Sequence, residues 1–176
     1  MKIAVAITGY PGTGKTTLVK RIIGFLQERE INLLGFYTEE VRGEGKRTGF
    51  DIITVPDYRR IPLARIGKNP PKVGKYSVFT ENLDEICRRL SKKNFRGIYV
   101  LDELGKMELF SHEFINFMEK VLEDHFILTY GLKLRHPLKD KLLSLPELKK
   151  FEITISNREK LFLSLRQFLE KTIPGI

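Results

Sequence analysis

The feature that most constrains this chain is a glycine-rich stretch close to its start. The segment KIAVAIT, residues 2–8, is largely apolar and rich in β-branched residues, which predicts a buried parallel strand. It is followed at once by GYPGTGKTT and then by apolar residues at helical spacing. A strand that passes through glycines directly into a helix predicts an α/β architecture built around that junction.

The glycine-rich stretch fits the pattern G-x-x-x-x-G-K-[ST] at every fixed position. Glycines allow successive backbone N–H groups to line one concavity, and the following helix adds its unpaired N–H groups. Such a concavity binds phosphate, with Lys15 expected to bridge the β- and γ-phosphates and the Thr16 hydroxyl expected to ligate Mg²⁺. The predicted nucleotide-binding residues of this stretch are Gly9, Tyr10, Pro11, Gly12, Thr13, Gly14, Lys15, Thr16 and Thr17.

In the segment IYVLDELG, four residues typical of a buried strand are followed by two adjacent acids, Asp102 and Glu103. Because parallel sheets bind ligands at the carboxyl ends of their strands, Asp102 is expected to hold Mg²⁺ beside Thr16. Glu103 is expected to orient and deprotonate the attacking water. Residues 102–105 also match the Asp-x-x-Gly pattern of GTPases, but the sequence lacks their Asn-Lys-x-Asp guanine motif, so a switch GTPase is not expected.

The rest of the chain alternates strand-like and helix-like segments. Two strand-like runs joined by GEG predict a β-hairpin near residues 33–55, added at one edge of the sheet. Further predictions are a helix over 81–92, a helix capped by Ser111, strands at FILTYG and FEITIS, and a closing helix with a capping box from Ser156 to Glu159. We therefore predict an α/β fold in a single domain, residues 1–176, with a mainly parallel central sheet flanked by helices.

Five segments together resemble one family of nucleoside-triphosphatases, first described from thermophiles: GYPGTGKTT, GFYTEEVR, RTGFDI, VGKY and VLDELGKMELFS. The resemblance covers about residues 3–160, and DELGKMEL is its most specific part. It implies a RecA-like P-loop NTPase fold and slow, Mg²⁺-dependent hydrolysis of several nucleoside triphosphates. Because the loop reads only phosphates and the guanine motif is absent, ATP, GTP, CTP and UTP are all expected to be substrates. Carried over by position, it implies a second nucleotide-binding stretch comprising Tyr99, Val100, Leu101, Asp102, Glu103, Leu104, Gly105 and Lys106. Lys106 either touches a phosphate or caps an exposed loop.

Three arginines are candidates to meet charge that develops in a transition state: Arg47, Arg135 and Arg158. Asn157 and Arg158 follow a predicted strand end and are candidates to flank the base. The alternatives are solvated surface arginines and an Asn157 or Ser156 that caps the last helix. His112, His125 and His136 lack metal-ligand spacing and are expected to be structural or exposed, and the single cysteine, Cys87, is expected in the core.

Three rival functions stay open, and composition bears on the first of them. The chain has 31 Lys and Arg against 22 Asp and Glu, a formal charge of +9, which favours polyanionic partners and keeps a nucleic-acid-linked ATPase as an alternative without any supporting motif. A small-molecule or nucleoside kinase, or a nucleotide sensor without turnover, is also open. No apolar run reaches the ~18 residues of a membrane span, and the lone cysteine favours a reducing, cytoplasmic setting. Abundant Lys, Arg and Glu with no Trp favour a thermophilic source.

Overall fold

The computed structural model describes residues 1–91 and 94–174, which form one nine-stranded sheet with five α-helices. The strands are β1 (Ala4–Thr8), β2 (Leu33–Gly43), β3 (Lys46–Val55), β4 (Arg60–Ile66), β5 (Lys72–Val73), β6 (Tyr76–Val78), β7 (Ile98–Leu104), β8 (Phe126–Tyr130) and β9 (Lys149–Glu152). The helices are α1 (Lys15–Gln27), α2 (Thr80–Ser91), α3 (His112–Val121), α4 (Pro137–Leu143) and α5 (Arg158–Thr172), with a short 3₁₀ turn at Glu108–Phe110. Position 92, at the end of the helix predicted over 81–92, lies outside the described residues.

The strand order is β5-β6-β4-β3-β2-β7-β8-β1-β9. The five strands from β2 to β9 in this order pair in parallel, and β8 lies between β1 and β7, the two strands that carry the motifs. The predicted RecA-like α/β fold with a mainly parallel central sheet is therefore confirmed.

The predicted hairpin is present as β2 and β3, but it is not a separate addition. The first part of β2 pairs in parallel with β7, from Leu33 opposite Ile98 to Phe36 opposite Leu101. From Gly35 to Gly43, β2 also pairs antiparallel with β3, and β4, β6 and β5 extend that side of the sheet. The segment between the hairpin and α2 thus contributes three further strands, β4, β5 and β6.

Two apolar layers cover the two faces of the sheet. Along β1, Ala4 and Ala6 face the core under α2, α3 and α4, whereas Val5 and Ile7 face the core under α1 and α5. Cys87 is fully buried in the first layer, as predicted, and burial raises the pKa of its thiol well above the ordinary value. No helix of the described residues is long and apolar enough to cross a membrane.

The ends of the last strand and helix differ from the prediction. β9 ends at Glu152, opposite Thr8 at the end of β1, because beyond Thr8 the chain of β1 turns away into the glycine-rich loop and offers no further strand to pair with. The capping box is wrong: Asn157 occupies the N-cap position of α5 with no side-chain cap, and Glu159 is paired with Arg21 of α1.

The side-chain cap predicted at α3 is confirmed, and two histidines also accept hydrogen bonds from backbone N–H groups. The Ser111 hydroxyl accepts a hydrogen bond of 2.9 Å from the Phe114 N–H and donates to Asp84. His136 Nδ1 accepts from the Leu138 N–H at the start of α4, and His125 Nδ1 accepts from the Ile3 N–H, so both have the structural roles expected.

Replacement of Ser111 by Ala should lower the free energy of unfolding by about 1–2 kcal/mol, because a fully buried cap and its partner carboxylate lose their hydrogen bonds. Urea denaturation measures the change. Ser164→Ala is the matched control, since the Ser164 hydroxyl is exposed and bonds only to the Lys160 carbonyl of its own helix. An equal effect of the two substitutions would contradict the role assigned to Ser111.

Candidate active site

The loop between β1 and α1 has a backbone that only glycine permits at two points. A Cβ atom on Gly9 would lie 2.6 Å from the Ile153 carbonyl oxygen of the neighbouring chain segment. Gly14, the N-cap residue of α1, has a φ of 102°, in the region that favours glycine. The loop is tightened further by Thr13, whose hydroxyl donates a 2.7 Å hydrogen bond to the Tyr10 carbonyl. The loop thus delivers the chain into the N-terminus of α1, where unpaired N–H groups favour an anion.

Lys15 lies across this loop. Its ammonium donates to the Gly9 carbonyl at 2.8 Å and approaches the Tyr10 carbonyl at 3.5 Å. These contacts hold one positive charge beside the helix N-terminus, where a phosphate would add the negative charge that both attract. Thr17, the last residue of the predicted stretch, is exposed on the first turn of α1.

Asp102 is the buried centre of the site, with 2% of its surface exposed. Its carboxylate accepts hydrogen bonds from the Thr16 hydroxyl (2.8 Å), the Thr129 hydroxyl (2.6 Å) and the Thr38 N–H (3.4 Å). Burial raises the pKa of this carboxyl above its ordinary value, and the hydrogen bonds from Thr129 and Thr16 oppose the shift. The Thr16 and Asp102 oxygens, 2.8 Å apart, form a hard-oxygen pair of the kind Mg²⁺ prefers, so the residues present fit this ion.

Glu103 and Glu108 add two more carboxyl groups beside Asp102. The peptide bond between Asp102 and Glu103 is cis, and the pairing of β7 with β8 is irregular between Leu101 and Leu104. Burial, strengthened by the charge of Asp102, raises the pKa of Glu103 to about 7. Burial also raises the pKa of Glu108 well above its ordinary value. The point that a Cβ atom on Gly105 would occupy is 3.1 Å from a Glu103 oxygen and 2.9 Å from a Glu108 oxygen, so the two carboxyl groups lie close to each other.

A cavity of about 360 Å³ opens beside these groups. Glu103, Glu108 and Lys15 line it together with the start of the glycine-rich loop, and most of the remaining wall is apolar. The apolar residues come from the antiparallel strands and from the segments after β7 and β8: Phe50, Leu63, Val73, Met107, Leu132 and Leu134. The cavity therefore lies at the carboxyl ends of the parallel strands, where ligands bind in open α/β sheets.

The predicted nucleotide-binding stretch 99–106 contains some residues that lie at the site and others that lie in the core. Asp102, Glu103, Gly105 and Lys106 are at the site, and the last three line the cavity. Leu104 is buried in the core. The side chains of Tyr99, Val100 and Leu101 are buried: Tyr99 and Leu101 lie in one core and Val100 in the other, and the Tyr99 ring packs against Phe95 and Phe117. Contact of these three residues with a nucleotide stays a prediction.

The candidate arginines occupy three different places. Arg47 donates to the Tyr76 hydroxyl at 2.9 Å and to Glu40 at 3.1 Å, within the antiparallel strands. Arg135 is exposed between Leu134, which lines the cavity, and His136, which caps α4. Arg158 donates to the backbone of the glycine-rich loop, to the Thr13 carbonyl at 2.7 Å and the Gly12 carbonyl at 3.3 Å.

Asn157 does not cap α5, and its side chain is used within its own connection. Its amide oxygen accepts from the Thr154 N–H at 2.8 Å, and its amide nitrogen donates to the Glu152 carbonyl at 2.9 Å. The side chain thus braces the connection between β9 and α5.

Sequence reasoning missed three residues of the site. Thr129 and Thr38 surround Asp102, and Glu108 lines the cavity with 4% of its surface exposed. A signal existed for Thr129, which is the single strongly polar residue in the apolar run FILTY. Glu108 stands in the segment GKMEL, where an acid among apolar residues is the only local indication of burial.

Comparison with known proteins places the chain among nucleoside-triphosphatases. The family model described as NTPase matches residues 4–165. The chain is 39% identical over 176 residues to "Nucleoside-triphosphatase THEP1" of Methanocaldococcus jannaschii, covering 98% of each protein. It superposes with a TM-score of 0.81 on the crystal structure of THEP1 from Aquifex aeolicus (36% identity, covering 97% of this chain and 99% of that one). The TM-score is 0.80 for the solution structure of a human cancer-related nucleoside triphosphatase (32% identity, 97% and 99% covered).

Glu103 should make the stability of the ligand-free protein depend on pH. Its pKa rises from 4.5 to about 7 on folding, so its contribution to stability is complete below pH 4.5 and is lost as the pH rises through about 7. Glu103→Gln removes that loss. Between pH 5 and pH 8, the free energy of unfolding of the wild type should therefore decrease by up to about 3 kcal/mol relative to that of the variant. Urea denaturation at both pH values in EDTA measures the difference. The exposed Glu123→Gln should follow the wild type, and a wild-type advantage that grows toward pH 8 would contradict the prediction.

Proposed function

We propose, from the premise that the chain belongs to the nucleoside-triphosphatase family, that it hydrolyses nucleoside triphosphates to the diphosphate and phosphate with Mg²⁺ as its cofactor. The observation that carries the mechanism is the position of the Asp102 carboxylate, 2.8 Å from the Thr16 hydroxyl of the phosphate loop and next in sequence to Glu103. The two predicted motifs, 86 residues apart in the chain, meet through this hydrogen bond.

In this mechanism the phosphate loop and Lys15 bind the triphosphate. The N–H groups at the start of α1 face the β-phosphate, and the Lys15 ammonium lies between the β- and γ-phosphates. Thr16 and Asp102 would hold Mg²⁺, which when bound neutralises negative charge on the β- and γ-phosphate oxygens. Both residues are already in contact, and so little rearrangement is needed to present two oxygens to the ion.

Glu103 is the proposed general base. Its carboxylate lines the same cavity as Lys15, so a water molecule held there would be within reach of the base and of the γ-phosphate. Glu103 accepts the proton of this water as its oxygen attacks phosphorus, and the bond from phosphorus to the β-phosphate oxygen breaks. A pKa of about 7 suits this role, because a base near the working pH combines a useful ionised fraction with real proton affinity.

Water is the proposed acceptor, and the relatives' printed names favour hydrolysis over the kinase alternative. We place this activity in a reducing, cytoplasmic setting, supported by a single cysteine, Cys87, that is buried as a free thiol. Arg47, Arg135 and Lys106 stay candidates for contact with the triphosphate. Of these, Lys106 lines the cavity and Arg47 is already bonded to Glu40 and Tyr76.

Base selectivity is proposed to be weak, and the β9–α5 connection supports this. Strong discrimination needs polar side chains that are free to match one base. The polar side chains of Asn157 and Arg158 are instead bonded to backbone groups of the protein. Ile155, with 74% of its surface exposed in the same connection, offers an apolar face on which any base can lie.

Glu103→Gln should keep the affinity for Mg²⁺-nucleotide and lower kcat by ~10²–10⁴-fold, because the amide can still hydrogen-bond water but cannot take its proton. Asp102→Asn should instead raise the Mg²⁺ concentration needed for half-maximal rate, because it removes the charge that faces the ion. Phosphate release at limiting and saturating Mg²⁺ separates the two effects, with the exposed Glu123→Gln as control. If Glu103→Gln loses binding but turns over what it binds at the wild-type rate, the assigned roles are wrong.

ATP, GTP, CTP and UTP should differ in kcat/KM by less than ~100-fold, or about 2.7 kcal/mol. The loop contacts phosphates, which all four share, and the two polar candidates for base contact are otherwise bonded. Diphosphates should react more slowly, since Lys15 and Mg²⁺ lose the γ-phosphate. Initial rates for the four triphosphates and ADP in excess Mg²⁺ measure this, and a preference above ~1,000-fold for one base would reveal a dedicated base pocket.

A further inference from the structure

Arg158 joins the start of the last helix to the phosphate loop, although 145 residues separate it from Thr13. Its Nε donates to the Thr13 carbonyl at 2.7 Å and its Nη2 to the Gly12 carbonyl at 3.3 Å. One planar guanidinium therefore holds two successive peptide groups of the loop. We call this pair of hydrogen bonds from one planar group the fork, and an ammonium group cannot reproduce its geometry.

The direction of these bonds matters for phosphate binding. Across a trans peptide the C=O of one residue and the N–H of the next point in opposite directions. With the Gly12 and Thr13 carbonyls turned toward Arg158, the N–H groups of Thr13 and Gly14 point away from it. The Thr13 N–H donates to the Tyr10 carbonyl at 3.3 Å, which leaves the Gly14 N–H to face an anion. Gly14 leads directly into α1, whose N-terminus binds the phosphates in the proposed function.

The residue that precedes Arg158 is itself hydrogen-bonded within the β9–α5 connection. Asn157 braces the β9–α5 connection through the Glu152 carbonyl and the Thr154 N–H. The loop also leaves room for the guanidinium: a Cβ atom on Gly14 would lie 3.2 Å from Arg158 Nε, closer than side-chain contacts normally allow. Glycine at position 14 therefore permits both the φ of 102° and the close approach of Arg158.

We propose that Arg158 is a positioning residue that fixes the phosphate loop in its anion-binding conformation by holding the Gly12 and Thr13 carbonyls. This inference rests on the proposed function of the loop but not on the hydrolytic step. Arg158 acts through the loop and not by contact with the nucleoside. Loss of the fork leaves a loop that must be ordered when phosphate binds, and this lowers affinity for every ligand that the loop holds.

Binding of Mg²⁺-ADP and of Mg²⁺-pyrophosphate, measured by calorimetry, tests the proposal. Arg158→Ala should weaken both by about tenfold and by the same factor, since both ligands use the loop and only ADP carries a nucleoside. Arg158→Lys should restore less than half of the affinity, on a logarithmic scale, that Arg158→Ala loses, because lysine restores the charge but not the two-pronged hydrogen bonding. Methylguanidinium should partly restore binding to Arg158→Ala, whereas methylammonium should not. For ATP, KM should rise about tenfold while kcat changes less than threefold.

Glu159→Gln is the matched control. Glu159 is the next residue of α5 and bonds to Arg21 of α1, but it does not contact the loop. Both ligands should bind this variant as they bind the wild type, and thermal unfolding of each variant without ligand shows that it is folded. The proposal is overturned if Arg158→Ala binds pyrophosphate normally, if only ADP binding is weakened, or if Arg158→Lys matches the wild type. Failure of hydrolysis alone would concern Glu103 and not Arg158, because neither binding assay involves turnover.

Discussion

The hydrogen-bonded carboxylate of Asp102 is the interaction on which the rest of the site depends. It joins α1 through Thr16, β8 through Thr129 and β2 through Thr38, while Asp102 itself belongs to β7. A carboxylate buried without such partners would cost several kcal/mol. The interior is therefore stable only when three strands and one helix are placed so that these hydrogen bonds form. The same placement sets the geometry of the site.

The sheet order makes this convergence possible. Because β8 lies between β1 and β7, Thr129 can approach Asp102 from one side while the phosphate loop crosses above β8 to bring Thr16 to the same carboxylate. On the other side of β7, the strand β2 belongs to both the parallel and the antiparallel parts of the sheet. The antiparallel strands then supply Phe50, Leu63 and Val73 to the cavity wall, so one sheet builds both the phosphate site and the pocket beside it.

The site gathers three carboxyl groups whose ionised forms its own residues stabilise only in part. Asp102, Glu103 and Glu108 are all shielded from water, and the pKa of each is raised by burial. The nearby cation that lowers the pKa of Asp102 and Glu103 is Lys15. A divalent ion beside Asp102 would supply the missing positive charge, which explains why a site that destabilises the free protein is suited to binding Mg²⁺ with a nucleotide.

The sequence by itself determined the phosphate loop, the Asp102–Glu103 pair, the Ser111 cap and the burial of Cys87. Each depends on residues that are neighbours in the chain, and a local pattern is enough to specify local backbone geometry. Only the tertiary structure decided that Thr129 and Thr38 surround Asp102, that the side chains of Tyr99 to Leu101 are buried in the cores, and that Arg158 bonds to the backbone of the loop. It also decided that β9 ends at Glu152, where β1 turns away. These contacts join segments far apart in sequence, and the order of strands that brings them together follows from packing both faces of the sheet at once, which no single segment encodes.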